Sequence, residues 1–182
     1  KNKDGILHCI NKLNFETIIC VTAQHREMLD QVLDIFKIKP DIDLDIMKRG
    51  QDLTDVTTAV LSKINETIKS INPDVILVHG DTTTTLASSI SSFYNNTPIG
   101  HIEAGLRTNN ISAPFPEEFN RQVTSKITKW HFAPTESSQK NLLSENIKSS
   151  NIFITGNTVI DALHWVLSSI ENNQSLKNKL TN

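Results

Sequence analysis

Residues 74–107, DVILVHGDTTTTLASSISSFYNNTPIGHIEAGLR, constrain the fold of this chain more than any other stretch. Pro73 precedes an unbroken apolar run, Val75-Ile76-Leu77-Val78, and Gly80 follows it. A run without polar alternation predicts a strand buried on both faces of a parallel sheet. Asp81 then sits at the strand's carboxyl end. From Thr83 onward Leu86, Ile90, Phe93 and Tyr94 recur at helical spacing, and Asn95-Asn96-Thr97-Pro98 stops the helix before a second short strand over 99–102. The product is one βαβ unit. A right-handed crossover lays the two strands parallel and brings Asp81 and Glu103 to the same edge of the sheet, where ligands of open α/β sheets bind.

Each strand ends with the same device. His79 and Asp81 are two apart, as are His101 and Glu103, so persisting extended backbone would point each pair to one side. Two carboxylates converging on one crevice suit proton abstraction on one face of a substrate and delivery on the other. A plainer role competes at Asp81: an Asp ahead of TTTT is a good N-cap. The two roles are compatible, because the same helix N-terminus also offers N–H groups to an anionic ligand. A metal site built from two His and two acids is a further alternative, which no additional Cys or His cluster supports.

A third acid lies in Ser112-Ala113-Pro114-Phe115-Pro116-Glu117-Glu118. Prolines cannot extend a regular helix but can open one, which leaves Glu117 and Glu118 in a first helical turn, where the dipole favours negative charge whether or not they react.

These motifs carry a resemblance. HGDTTTT (79–85), GHIEAGLRT (100–108), PEEFNR (116–121), TAQHREMLDQVL (22–33) and ITGNTVIDAL (154–163) resemble the bacterial non-hydrolysing UDP-N-acetylglucosamine 2-epimerases over about residues 17–167. The resemblance implies an α/β fold: a Rossmann-like parallel sheet with helices on both faces, the N-terminal half of a glycosyltransferase-B-like two-domain architecture. It implies a domain over 1–167 that lacks its first strand, a hinge helix end and polar tail over 168–182, and a C-terminal nucleotide-binding domain absent from this sequence. The implied activity interconverts UDP-GlcNAc and UDP-ManNAc, with no metal or nicotinamide cofactor. It proceeds by elimination of UDP to a 2-acetamidoglucal and re-addition with inversion at C2, and it supplies bacterial surface polysaccharide precursors. Asp81, Glu103 and Glu117 are the implied catalytic carboxylates, with Asp81 and Glu103 also contacting substrate. Lys1 matches the last residue of the family's opening GTRPEAIK motif, and with Gln24 and Arg121 it completes the substrate-binding set. Arg121 could pair with a carboxylate, steady a phosphate or form a surface ion pair. A cytoplasmic enzyme, homodimeric at full length, is implied, and residues 1–182 alone are expected to show no turnover. Two other classes stay open: a glycosyltransferase of the same architecture, and a truncated binding module without catalysis.

The remaining sequence sets bounds. With 182 residues and 37% hydrophobic content the chain can build one proper core, and a net charge of −2 with mixed signs argues against a nucleic-acid face. No apolar stretch reaches spanning length. Cys9 and Cys20 are too few for a disulfide framework and are expected in the core of a protein kept reduced. Apolar stripes predict helices over 1–13, from Met28 to Phe36, from Leu53 to Ile68 and over 159–170, with strands over 17–21, 41–47 and 151–155. Gln24, His25 and Arg26 follow a strand end, where they could face the crevice or open a polar helix. Alternation of helix and strand throughout indicates an α/β class.

Overall fold

The computed structural model describes residues 15–23, 26–46, 48 and 50–171. The helix predicted over 1–13, Cys9, Lys1, Gln24, His25 and the polar tail fall outside them. The chain divides into two compact units, one around Arg26–Asp43 and the residues from Asn157 onward, the other around Leu44–Gly156.

In the first unit, strand β1 (Cys20–Val21) pairs parallel with β2 (Ile42–Asp43) across helix α1 (Arg26–Phe36). Arg26 forks onto Asp43 at 2.6 and 2.9 Å, so this motif residue holds the unit together. The strand expected over 41–47 is cut short because Asp45 turns to φ +43, a region that ends extended pairing. Cys20 is half-buried, and burial with the neighbouring Asp43 charge pushes its thiol pKa up.

The second unit carries β3 (Ile76–His79), β4 (Ile99–Ile102), β5 (Trp130–Ala133) and β6 (Ile152–Ile154) in that spatial order, every pair parallel. Helix α2 (Leu53–Ile71) begins in a capping box between Asp52 and Asp55 and ends on Asn72 at φ +51, which explains its length: both termini are satisfied by side chain or left-handed backbone. Val56, Val60, Ile64 and Ile68 form its buried stripe against α3 (Thr83–Tyr94). The facing side of α3 is serine-rich, and Ser91 donates to the Leu61 carbonyl at 2.7 Å. Small side chains let the two helices approach closely while their hydroxyls return to backbone carbonyls.

Partners across the sheet in register share a face. Val78, His101, His131 and Ile152 form one such row, and all four are buried. Helices α4 (Glu117–Ile127) and α5 (Glu136–Ser144) pack there: His131 meets the Ser125 carbonyl, and Leu142 joins Ala104, Ala133 and Ile152 in a common cluster. Leu77 and Phe153, from two neighbouring rows of the opposite face, are 50% and 44% exposed. Helix α6 (Thr158–Glu171) closes the described chain and stacks Trp165 on Phe36 at 4.9 Å within the first unit. No helix among the described residues is long and apolar enough to cross a membrane.

Candidate active site

The turn out of β3 is pinned from three sides. Gly80, at φ +72, donates its N–H to the Ile102 carbonyl at 3.0 Å, and its own carbonyl lies 2.7 Å from His101 Nε2. Thr85 Oγ1 donates to the His79 carbonyl at 2.6 Å. Helix α3 is capped by Thr82, whose Oγ1 accepts from the Thr85 N–H at 3.2 Å. Asp81 is thus not the N-cap, and its carboxylate is left for other work. That carboxylate is 27% exposed and lies 3.3 Å from Arg121 Nη1, while the Asp81 carbonyl accepts from Asn120 Nδ2 at 2.9 Å.

Glu103 leaves β4 with φ +67, an uncommon conformation for a residue with a side chain and one that clusters at functional sites. A Cβ on Gly80 would lie 3.4 Å from Glu103 Oε2, so this carboxylate rests beside the residue preceding Asp81. The expected pairing of each histidine with its acid fails for a clear reason. Positive φ at Gly80 and Glu103 interrupts the extended backbone on which the two-residue rule depends. His79 is exposed and His101 fully buried. The metal quartet weighed from sequence is not assembled, and among the described residues no three His, Cys, Asp or Glu side chains converge as a metal ion requires.

Helix α4 brings the third acid. Glu117 opens it and is partly buried. It stands three and four residues ahead of Asn120 and Arg121, on the helix face that reaches Asp81. Its neighbour Glu118 is fully buried. Glu118 accepts from the N–H groups of Thr108 at 3.1 Å and Asn109 at 3.2 Å, from Arg121 Nε at 2.7 Å and from Gln122 Nε2 at 2.7 Å. Burial alone would raise its pKa. The Gln122 and Thr108 hydrogen bonds, the Arg121 charge and the Asn109 N–H outweigh that and hold it at about 2. Sequence reasoning chose Glu117 and missed Glu118 and Asn120. The Glu118/Arg121 spacing of three was the available signal, but it does not reveal burial. The surface ion pair considered for Arg121 is likewise replaced by a buried one.

The loop after Glu103 is tied down at its other end by Arg107, whose side chain is 1% exposed. It forks onto Glu145 at 2.6 and 3.1 Å and donates to Ser125 Oγ at 2.9 Å, joining the loop to the far ends of α4 and α5.

Two buried histidines lie beneath the site, His101 and its register partner His131. Each presents Nε2 to a carbonyl, that of Gly80 or Ser125, and His101 Nδ1 has no partner among the described residues, so the neutral His101 ring carries its proton on Nε2. Burial lowers the His101 pKa to about 4; the Gly80 bond opposes the shift, and the charges of His131, Arg107 and His79 assist it. Burial also lowers that of His131. A pKa depressed in the folded state means that stability is complete above the unfolded value, about 6.5, and is lost as pH falls through the folded one. For His101 the loss amounts to about 3 kcal/mol, or roughly 6–12 °C in Tm for a chain of this size. Thermal unfolding followed from pH 7 to pH 4 should show this decline, and His101→Gln, which keeps a donor but cannot titrate, should flatten it. An unchanged slope in the variant would remove His101 as the cause.

Comparison with known proteins supplies the wider context. The sequence model of the family described as UDP-N-acetylglucosamine 2-epimerase matches residues 8–182. A UDP-N-acetylglucosamine 2-epimerase of Escherichia coli K12 is 55% identical over 166 residues, covering 91% of this chain and 44% of the relative. One from Neisseria meningitidis serogroup A is 59% identical over 153 residues, covering 84% and 41%. Among solved structures, the Neisseria meningitidis UDP-GlcNAc 2-epimerase bound to UDP-GlcNAc superposes with a TM-score of 0.91 at 51% identity, covering 96% of this chain and 47% of that one. The Methanocaldococcus jannaschii enzyme in complex with UDP-GlcNAc and UDP gives 0.89 at 32% identity, covering 97% and 48%. The chain spans less than half the length of the curated relatives it matches. Its fold is the Rossmann-like N-terminal half of a glycosyltransferase-B architecture.

Proposed function

We infer, for a chain that belongs to the UDP-N-acetylglucosamine 2-epimerase family, that it forms one wall of a cleft in which UDP-GlcNAc and UDP-ManNAc are interconverted. The observation that supports this is the gathering of acids at one sheet edge: Asp81 is released from capping by Thr82, Glu103 lies against Gly80, and Glu117 shares a helix face with the residues that hold Asp81.

Inversion at C2 needs a base on one face of the sugar and an acid on the other. The C2 hydrogen is only weakly acidic, so elimination is the easier course. A carboxylate takes the C2 proton, the C1–O bond breaks with its electron pair leaving on UDP, and a C1–C2 double bond forms. Re-addition reverses the sequence: UDP oxygen bonds to C1 while a carboxylic acid protonates C2 from the opposite face. Atoms and electrons balance without an oxidant. Asp81, Glu103 and Glu117 share these proton transfers in our reading, and Arg121, Gln24 and Lys1 hold the nucleotide sugar. The full-length enzyme is read as a cytoplasmic homodimer feeding surface polysaccharide synthesis.

Residues 1–182 joined in frame to the part of the Escherichia coli relative that they do not match should convert UDP-GlcNAc to UDP-ManNAc and, in D2O, place deuterium at C2. Residues 1–182 expressed alone should show no turnover, because by resemblance most nucleotide contacts come from the other domain. A folded fusion that leaves UDP-GlcNAc unchanged would overturn the reading.

A further inference from the structure

We propose that Glu118 is a positioning residue for this reaction, one carboxylate that clamps the Arg121 guanidinium against Asp81 and fastens the loop following Glu103 to the same helix. The proposal rests on the epimerase reading above and deepens it.

The geometry is unequal in an informative way. Arg121 reaches Glu118 through Nε at 2.7 Å but Asp81 through Nη1 at only 3.3 Å. A partly exposed contact of the latter length contributes little by itself and would not hold a long side chain in one rotamer. With Nε fixed, the guanidinium plane can no longer swing, and Nη1 is delivered to the Asp81 carboxylate. The two remaining backbone bonds of Glu118 go to Thr108 and Asn109, in the loop that runs from Glu103 through Arg107. One side chain therefore joins the supports of two of the proposed carboxylates, and it sits next in sequence to the third.

Stability alone does not account for this arrangement. Glu118 is fully buried and Arg121 nearly so. Buried ion pairs can commonly be replaced by apolar residues of similar volume without loss of stability. Glu118 is also unsuited to proton transfer, since four donors occupy it and keep it ionised far below neutral pH. What it can do is act through Arg121.

In the active fusion, Glu118→Gln is expected to lower kcat about 10- to 100-fold with KM within about twofold, the pattern of an interaction made in the transition state rather than in substrate binding. Arg121→Gln should lower kcat at least as far and also raise KM, because Arg121 itself holds the nucleotide sugar, and the double variant should be no slower in kcat than the slower single one, because Glu118 acts on Asp81 only through Arg121. Losses that multiply in a double variant that folds, as judged by circular dichroism, would overturn the proposal, as would wild-type kcat in Glu118→Gln. A second arm needs no turnover. In residues 1–182 the Arg121 Nε–H should give a slowly exchanging NMR signal, retained in Asp81→Asn and lost in Glu118→Gln; its absence from the wild-type chain would also overturn the clamp. A wild-type fusion that turns nothing over while this signal is present separates failure of the functional reading from failure of the clamp.

Discussion

Asp81→Asn in the active fusion is expected to slow epimerisation by about 10²- to 10⁴-fold, the range for loss of a general acid or base, while leaving the fold intact. Both halves of the expectation come from the local structure. Asn preserves the shape of the side chain, and the Asp81 backbone carbonyl keeps its bond from Asn120. Helix α3 loses nothing, because Thr82 rather than Asp81 caps it. Arg121 keeps its shorter contact, that to Glu118. The ion pair removed is partly exposed and 3.3 Å long, which puts its contribution to stability at roughly 0–1 kcal/mol. Glu103→Gln should behave alike, since the left-handed turn at 103 depends on backbone and not on charge. UDP-ManNAc formation read against thermal unfolding separates the two effects. Near-normal rates in either folded variant would remove that residue from the mechanism.

Gly105→Ala should destabilise the chain by roughly 3–5 kcal/mol, combining left-handed strain with overpacking. Gly105 lies at φ +91, and an added Cβ would meet the Ser138 carbonyl oxygen at 2.3 Å and its carbon at 2.9 Å. Those atoms are backbone in the first turn of α5. They cannot swing aside, and Asn141 Nδ2 grips the Gly105 carbonyl at 2.9 Å from the same helix. The comparison with Gly100 shows what decides the magnitude. A Cβ there would come within 2.6 Å of Leu77 Cδ2, but that is the end of a half-exposed side chain that can rotate away. Against a typical total stability of 5–15 kcal/mol, the Gly105 variant should lower the urea midpoint sharply at unchanged m-value. A midpoint shift equivalent to less than about 1 kcal/mol would mean that the loop can move off α5 and that Gly105 does not fix it.

The βαβ unit was legible because its signals are local. The apolar run ahead of Gly80, the helical spacing from Leu86 to Tyr94 and the break before Pro98 each depend on near neighbours in the chain, and β4 and α3 have the bounds the sequence predicts. The strands at 17–21 and 41–47 came out shorter than their patterns, because pairing stops where the backbone turns, as at Asp45, and no residue type announced that turn. The choice between Glu117 and Glu118 was likewise invisible. Of two identical side chains in one helical turn, Glu118 is the one to which the preceding loop presents the Thr108 and Asn109 N–H groups.

By itself the sequence determined an alternating parallel α/β fold, its family through the motifs it shares, and the placing of Asp81 and Glu103 at the carboxyl ends of two parallel strands, since strand direction and helix period follow from short-range sterics. Tertiary structure alone decided that Thr82 caps α3, that His101 turns inward, and that Glu118 is the buried partner of Arg121. The burial of Glu118 depends on donors from the preceding loop, Thr108 and Asn109, and the inward turn of His101 on the Gly80 carbonyl, 21 residues away. Contacts at that separation are set by packing and by the desolvation of particular atoms, neither of which a linear pattern encodes.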